Sequence, residues 1–219
     1  MRKSLIFIAT AGVLSFHQPA AAEGVALGAK ASTLGLGAEL VASFTPRFNG
    51  RIGYNNYDYE FSGTETDIDY DLTFKLESIP LYLDFYPFKG RFHLTGGLLL
   101  NQNLIDAEAS PKGGTYTING VTYPAAAVGS LGGEIDFKDN AAYLGLGWGN
   151  PVKGKGLGIN FEIGVVLQGS PDVELTATGV LASDPLFQQQ LAAEAQALED
   201  DLEEFKYYPV IAVGLTYKF

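Results

Sequence analysis

Ile211-Ala212-Val213-Gly214-Leu215-Thr216-Tyr217-Lys218-Phe219, the last nine residues, alternate without a break. The odd positions are large and apolar, and the even ones are small or polar. A period of two is that of an extended strand whose side chains point to opposite faces. One face suits lipid and the other a polar or crowded interior, which is the pattern of a strand in a membrane-spanning β-barrel wall.

The same period recurs upstream. From Leu157 to Gln168 the outward set is Leu157, Ile159, Phe161, Ile163, Val165 and Leu167, while Gly158, Asn160, Glu162, Gly164 and Gln168 point inward. Ala142, Leu144, Leu146 and Trp148 alternate with Tyr143, Gly145 and Gly147. Phe92, Leu94, Gly96, Leu98 and Leu100 alternate with His93, Thr95, Gly97 and Asn101. Near the start, Leu34, Leu36, Ala38, Leu40 and Phe44 oppose Gly35, Gly37, Glu39 and Ser43, and Val25, Leu27 and Ala29 precede them with Lys30 inward. Splitting that stretch at Ser32-Thr33 gives an even strand count, as bacterial barrels have. The fold class expected is all-β: an antiparallel transmembrane β-barrel of 8 strands.

Strands near 48–62 and 67–86 exceed the 9 to 11 residues that a bilayer requires, so this hairpin should rise outside the membrane. Ile68, Tyr70, Leu72, Phe74 and Leu76 share one parity, while Ile79, Leu81, Leu83 and Phe85 share the other, which predicts a bulge near Ser78-Pro80. Short connections at Thr45–Asn49, Pro87–Gly90 and Asn150–Gly156 read as periplasmic turns, and the long ones at 106–133 and 170–204 as extracellular loops. In the first loop Asn119-Gly120, flanked by Thr115–Ile118 and Val121–Tyr123, predicts a small hairpin. In the second, Asp184-Pro185 followed by Phe187, Leu191, Ala195, Leu198, Leu202 and Phe205 predicts a capped amphipathic helix with an acidic outer face.

Residues 1–22 read as a signal peptide: Arg2 and Lys3, an apolar run from Leu5 to Phe16, then Pro19-Ala20-Ala21-Ala22 before Glu23. That leaves 23–219 as the barrel. There are no cysteines, which removes disulfides and thiolate chemistry. Without the leader, 12 basic residues stand against 25 acidic ones, a net of −13 that repels nucleic acid. The 27 glycines, 12 tyrosines and 14 phenylalanines fit a barrel, where glycine relieves crowding and aromatic rings sit at the interfaces.

Beyond the leader the one histidine is His93, which the alternation places inside the wall near the periplasmic end, away from any catalytic mouth. No enzyme is expected, and no cofactor: the Gly-x-Gly pairs at 35/37 and 145/147 are strand glycines rather than a nucleotide loop. Lys30, Glu39, Arg51, Asp84, His93, Asn160 and Glu162 should converge in the lumen, which eight strands normally leave just wide enough for side chains to fill. Asp58, Glu60, Asp67, Asp69 and Asp71 should form an acidic mouth that concentrates cations. Arg47, Arg51, Lys89, Arg91, Lys153, Lys155 and Lys218 gather by contrast at the periplasmic side. A narrow uptake channel for small basic or zwitterionic solutes and a closed barrel acting through its external loops both remain open. The partners expected are outer-membrane lipid and lipopolysaccharide, plus the barrel-assembly machinery through the terminal Phe219.

Several motifs are not demanded by alternation. Gly28-Ala29-Lys30-Ala31 leads into Leu34-Gly35-Leu36-Gly37, and Gly53-Tyr54-Asn55-Asn56, Thr117-Ile118-Asn119-Gly120 and Ala142-Tyr143-Leu144-Gly145-Leu146-Gly147 follow. The most specific is the loop Gly169-Ser170-Pro171-Asp172-Val173-Glu174-Leu175-Thr176, with Tyr208-Pro209-Val210 before the last strand. With these the chain resembles the carbapenem-susceptibility, ornithine-uptake outer-membrane porins of the CarO type over most of its mature length. The resemblance implies an eight-stranded barrel with a substantial extracellular part and passage of small zwitterionic or basic amino acids.

Overall fold

The computed structural model describes residues 24–65 and 68–219. The expected leader lies outside the described residues, as does Asp67. In chain order the strands are β1 (Gly24–Ser32), β2 (Gly35–Thr45), β3 (Phe48–Glu65), β4 (Ile68–Phe85), β5 (Phe92–Asn101), β6 (Leu104–Pro111), β7 (Thr115–Ile118), β8 (Val121–Pro124), β9 (Leu131–Asp136), β10 (Asn140–Trp148), β11 (Gly156–Leu167), β12 (Asp172–Ala177) and β13 (Tyr207–Lys218). Two helices, α1 (Ala125–Val128) and α2 (Pro185–Asp201), belong to the connections. Among the described residues no helix is long and apolar enough to cross a membrane.

Eight strands close a ring in the order β1, β2, β3, β4, β5, β10, β11, β13, and β13 returns to β1 through pairs from Ala26–Lys218 to Ser32–Ala212. Every pairing is antiparallel, and closure leaves the ring without an edge. Leu27, Ile52, Leu81, Leu98, Leu144, Trp148, Ile159, Phe161, Ile211, Val213 and Leu215 are all exposed around its outside. An apolar belt of that extent has no place in water and is the surface that lipid covers. The chain divides at Thr33-Leu34, one residue beyond the expected Ser32-Thr33, and Leu34 is buried, capping the lumen with Tyr82 and Leu99 instead of joining the lipid face.

The bulge expected near Ser78-Pro80 is absent. β3 pairs with β4 in one register from Phe48–Phe85 to Glu65–Ile68, without a shift, and the ladder lapses only at Gly53-Tyr54 opposite Ile79-Pro80, where proline has no N–H to donate. β5 and β6 likewise pair with β4 in a single register, interrupted only at Gln102-Asn103, where Asn103 Oδ1 accepts from the Glu77 N–H at 2.9 Å. The apolar parity switches because the surroundings switch. Within the membrane the apolar residues of β4 face lipid; above it, the opposite face becomes the buried one.

That upper face belongs to an external sheet in which β6, β9 and β12 extend the wall beyond β4. Across it Phe74, Ile105, Ile135 and Val173 form one row, and Leu72, Ala107, Gly133 and Leu175 the next. Over part of this face lie α2 and the β7–β8 hairpin, whose Tyr116, Ile118, Phe187 and Leu191 join Ile68, Ala109, Ala125 and Val128 in a separate core. The hairpin turns where expected: Asn119 and Gly120 both have positive φ, 48° and 74°. Asp184 caps α2, accepting from the N–H groups of Leu186 and Phe187 at 2.9 and 3.0 Å ahead of Pro185. Much of both long "loops" is therefore folded structure.

Candidate functional site

The inward side chains of β1 to β5, β10 and β11 meet in one buried network. Arg51 from β3 is its centre. Its Nε and Nη2 lie 2.8 and 2.9 Å from the two Asp84 carboxylate oxygens of β4, an ion pair in which Nη2 donates the hydrogen bond. Nη2 also reaches Glu162 Oε2 on β11 at 2.5 Å, and Nη1 reaches Glu39 Oε2 on β2 at 3.4 Å. Lys30 of β1 approaches the same Glu39 oxygen at 3.5 Å. The Tyr143 hydroxyl donates to the other Glu162 oxygen, Oε1, at 2.5 Å, and the Thr95 hydroxyl donates to Asp84 Oδ1 at 2.7 Å, while Glu39 Oε1 is buried without a partner.

Two stacked tyrosines lid this network on the external side. The rings of Tyr82 and Tyr143 are 4.3 Å apart, and the Arg51 guanidinium lies 5.3 Å from the Tyr82 ring centroid, close enough for cation–π attraction. Room for Tyr143 comes from two glycines; a Cβ on Gly164 would stand 2.6 Å from its Cζ. Leu34, Leu99, Val166 and Val210 complete an apolar layer above, and Tyr86 and Asn49 are fully buried toward the periplasmic turns. Between Arg51, Tyr82, Asn160 and Glu162 remains a void of about 10 Å³, room for about one water.

Six of the seven lumen residues expected from alternation are thus brought together: Lys30, Glu39, Arg51, Asp84, His93 and Glu162. Asn160 is buried beside them, its Oδ1 without a partner. His93 is 3% exposed, with Nε2 3.7 Å from Glu162 and Nδ1 3.3 Å from the Arg91 carbonyl. Asp84, His93 and Glu162 place donor atoms within 4.8 Å of one another, but the Arg51 Nη2 bonded to both carboxylates already fills the cationic position between them. Along the polar thread that a channel would use, Arg51, Asp84 and Glu162 bond one another. Sequence reasoning missed the tyrosine pair as a lid; inward parity was the available signal, yet it does not say which inward rings touch.

The carboxylates expected at a mouth stand elsewhere. Asp58 and Glu60 share the parity of the lipid-facing Ile52 and Tyr54 on β3, and Asp69 and Asp71 share that of Leu81 and Leu83 on β4, in one register. They occupy the face that continues the outside of the wall, turned from the lumen axis. Glu60, Thr73, Asp106, Glu134 and Glu174 run across five adjacent strands in one row. Asp71, Asp106, Glu108, Glu134 and Glu174 line a shallow cavity of about 520 Å³ there. Lys75 pairs with Asp106, and Lys112 with Asp69 at 2.8 Å. Hydrogen bonds from Lys112 and Thr64 hold Asp69 below the usual carboxylate range.

Asp136 goes the other way. Partial burial, with Asp172 directly opposite on β12 and Asp139 nearby, raises it above the usual range. A carboxyl raised in the folded state opposes folding once ionised, so its penalty is present at neutral pH and fades as pH falls through its folded value. Asp136→Asn should therefore slow amide exchange in β9 and β12 at pH 7. Exchange measured down to about pH 4 should show that advantage shrinking; an advantage unchanged across that range would contradict the assignment.

The closed eight-stranded ring with its apolar belt defines an outer-membrane β-barrel. More particularly, its fold is shared with two solved structures from Acinetobacter baumannii. CarO matches with a TM-score of 0.59 and 24% identity, covering 90% of this chain and 98% of that one. CarO2 matches with a TM-score of 0.60 and 21% identity, covering 90% and 99%. No family model and no curated protein matches the sequence.

Proposed function

We propose that the protein is a closed outer-membrane barrel whose work is done by its external sheet, with the β-barrel serving as anchor. The observation that carries this reading is the lumen itself. Arg51 binds Glu39, Asp84 and Glu162 from three other strands, and an apolar layer lies over them. A solute crossing that layer would have to separate a buried guanidinium from its carboxylates, each ion of which is costly to leave unpaired. The chain meanwhile devotes three strands, a hairpin and a 17-residue helix to an external unit with its own core.

The alternative, an uptake route for small basic or zwitterionic amino acids, is tested in the same experiment. Proteoliposomes carrying the refolded protein are placed in isotonic lysine or glycine and their swelling is followed by light scattering. The closed reading expects the rate of protein-free vesicles in both. Swelling several-fold faster in either amino acid would overturn it and restore the channel.

A further inference from the structure

β12 is an edge strand, with β9 on one side and no strand on the other among the described residues. Which of its backbone groups are free follows from one bond. The Thr178 N–H donates to the Ser130 carbonyl at 3.1 Å, continuing the β9–β12 register, so the even residues of β12 exchange bonds with β9. Val173, Leu175 and Ala177 therefore direct their N–H and C=O groups away from the sheet. The Val173 N–H is taken by Glu199 of α2 at 3.1 Å, and Leu175 has no partner among the described residues. Beside this edge runs a groove of about 390 Å³ between Val173–Leu175 and the Gln188, Leu191, Ala192, Ala195, Gln196 and Glu199 side of α2.

We propose that this edge and groove receive an extended peptide segment as an added strand, with apolar and basic residues alternating along it. The proposal rests on the surface-acting reading above and names its site and partner. Main-chain bonds to Leu175 supply the pairing, as in other cases of strand addition. Successive side chains of an added strand point to opposite faces. One set enters the groove against Leu191, Ala192 and Ala195. The other extends the row Asp106, Glu134, Glu174, whose next position beyond Glu174 is vacant. Directly opposed like charges destabilise a sheet and opposite charges stabilise it, so that position favours lysine or arginine and disfavours an acidic residue. The same charge disfavours a second copy of β12, which would bring another Asp172 and Glu174.

The test uses the full refolded protein in lipid nanodiscs and a fluorescent octapeptide of alternating valine and lysine, read by anisotropy. Two control peptides are the same sequence N-methylated at every second amide, and a version with glutamate for lysine. Saturable binding of the parent peptide is expected, at least tenfold weaker for both controls. Leu175→Pro should weaken the parent at least tenfold, since proline removes one outward N–H and is tolerated on an edge. Glu174→Lys leaves the backbone untouched and should reverse the preference between the lysine and glutamate peptides. Absence of binding, or equal binding of the N-methylated peptide, overturns the strand-addition site. Neither result alters vesicle swelling, so failure here is separable from failure of the closed-barrel reading.

Discussion

Arg51→Met should lower the unfolding free energy of the barrel by about 3–5 kcal/mol, the usual cost of breaking a buried ion network by removing one partner. Arg51 is 7% exposed and makes the ion pairs to Glu39, Asp84 and Glu162, which are themselves 4%, 1% and 6% exposed. Methionine fills much of the volume but leaves these carboxylates facing one another, with Lys30 remaining beside Glu39. The loss comes from stranded charge rather than lost packing. A triple variant, Arg51→Met with Asp84→Asn and Glu162→Gln, should therefore recover most of it. Urea unfolding of the refolded proteins in lipid vesicles reads both. A single variant as stable as the parent would show that the network contributes little.

Phe187→Ala should have an effect of similar size in a different place. Phe187 is 2% exposed, meets Tyr123 edge-on at a ring distance of 5.1 Å, and sits in the external core with Ile118, Val128 and Leu191. Truncating a buried phenylalanine costs about 3–5 kcal/mol. That core shares no member with the lumen layer of Leu34, Tyr82, Leu99 and Tyr143. The loss should accordingly be local, since stability within one chain is not uniform. Hydrogen exchange should quicken in β7, β8, β12 and α2 while β1, β2, β11 and β13 keep their protection. Uniform loss of protection would mean that the external unit and the barrel unfold as one.

The barrel was legible because lipid imposes a simple code. Strands such as β13 and β11 are apolar on one face along their whole length, and period two then gives both strand and orientation. The same code named the lumen set, Arg51, Asp84 and Glu162 included, because charges in a lipid-bound wall must point inward. It failed above the membrane. Tyr70, Leu72 and Phe74 imply a bulge under an apolar-equals-lipid rule, whereas they continue the inner face of a straight strand whose Ile68 enters the external core. For the same reason the acidic residues Asp58, Glu60, Asp69 and Asp71 were recognisably external but not assignable to a face. Leu34 was misread because a turn residue obeys no strand period. The added strands β6, β9 and β12 are short, and their partners are distant in sequence, so local periodicity cannot say which sheet they join.

Single-channel recording tests the closed lumen most directly. Purified, refolded protein is inserted into planar bilayers, with insertion verified by its heat-modifiable migration, and current is followed in molar potassium chloride beside the Arg51→Met/Asp84→Asn/Glu162→Gln variant. The network and the apolar layer of Leu34, Tyr82, Leu99 and Val166 over it predict no discrete conductance steps from the parent protein, nor from this variant, which keeps that layer. Regular steps from the parent would contradict the closed lumen.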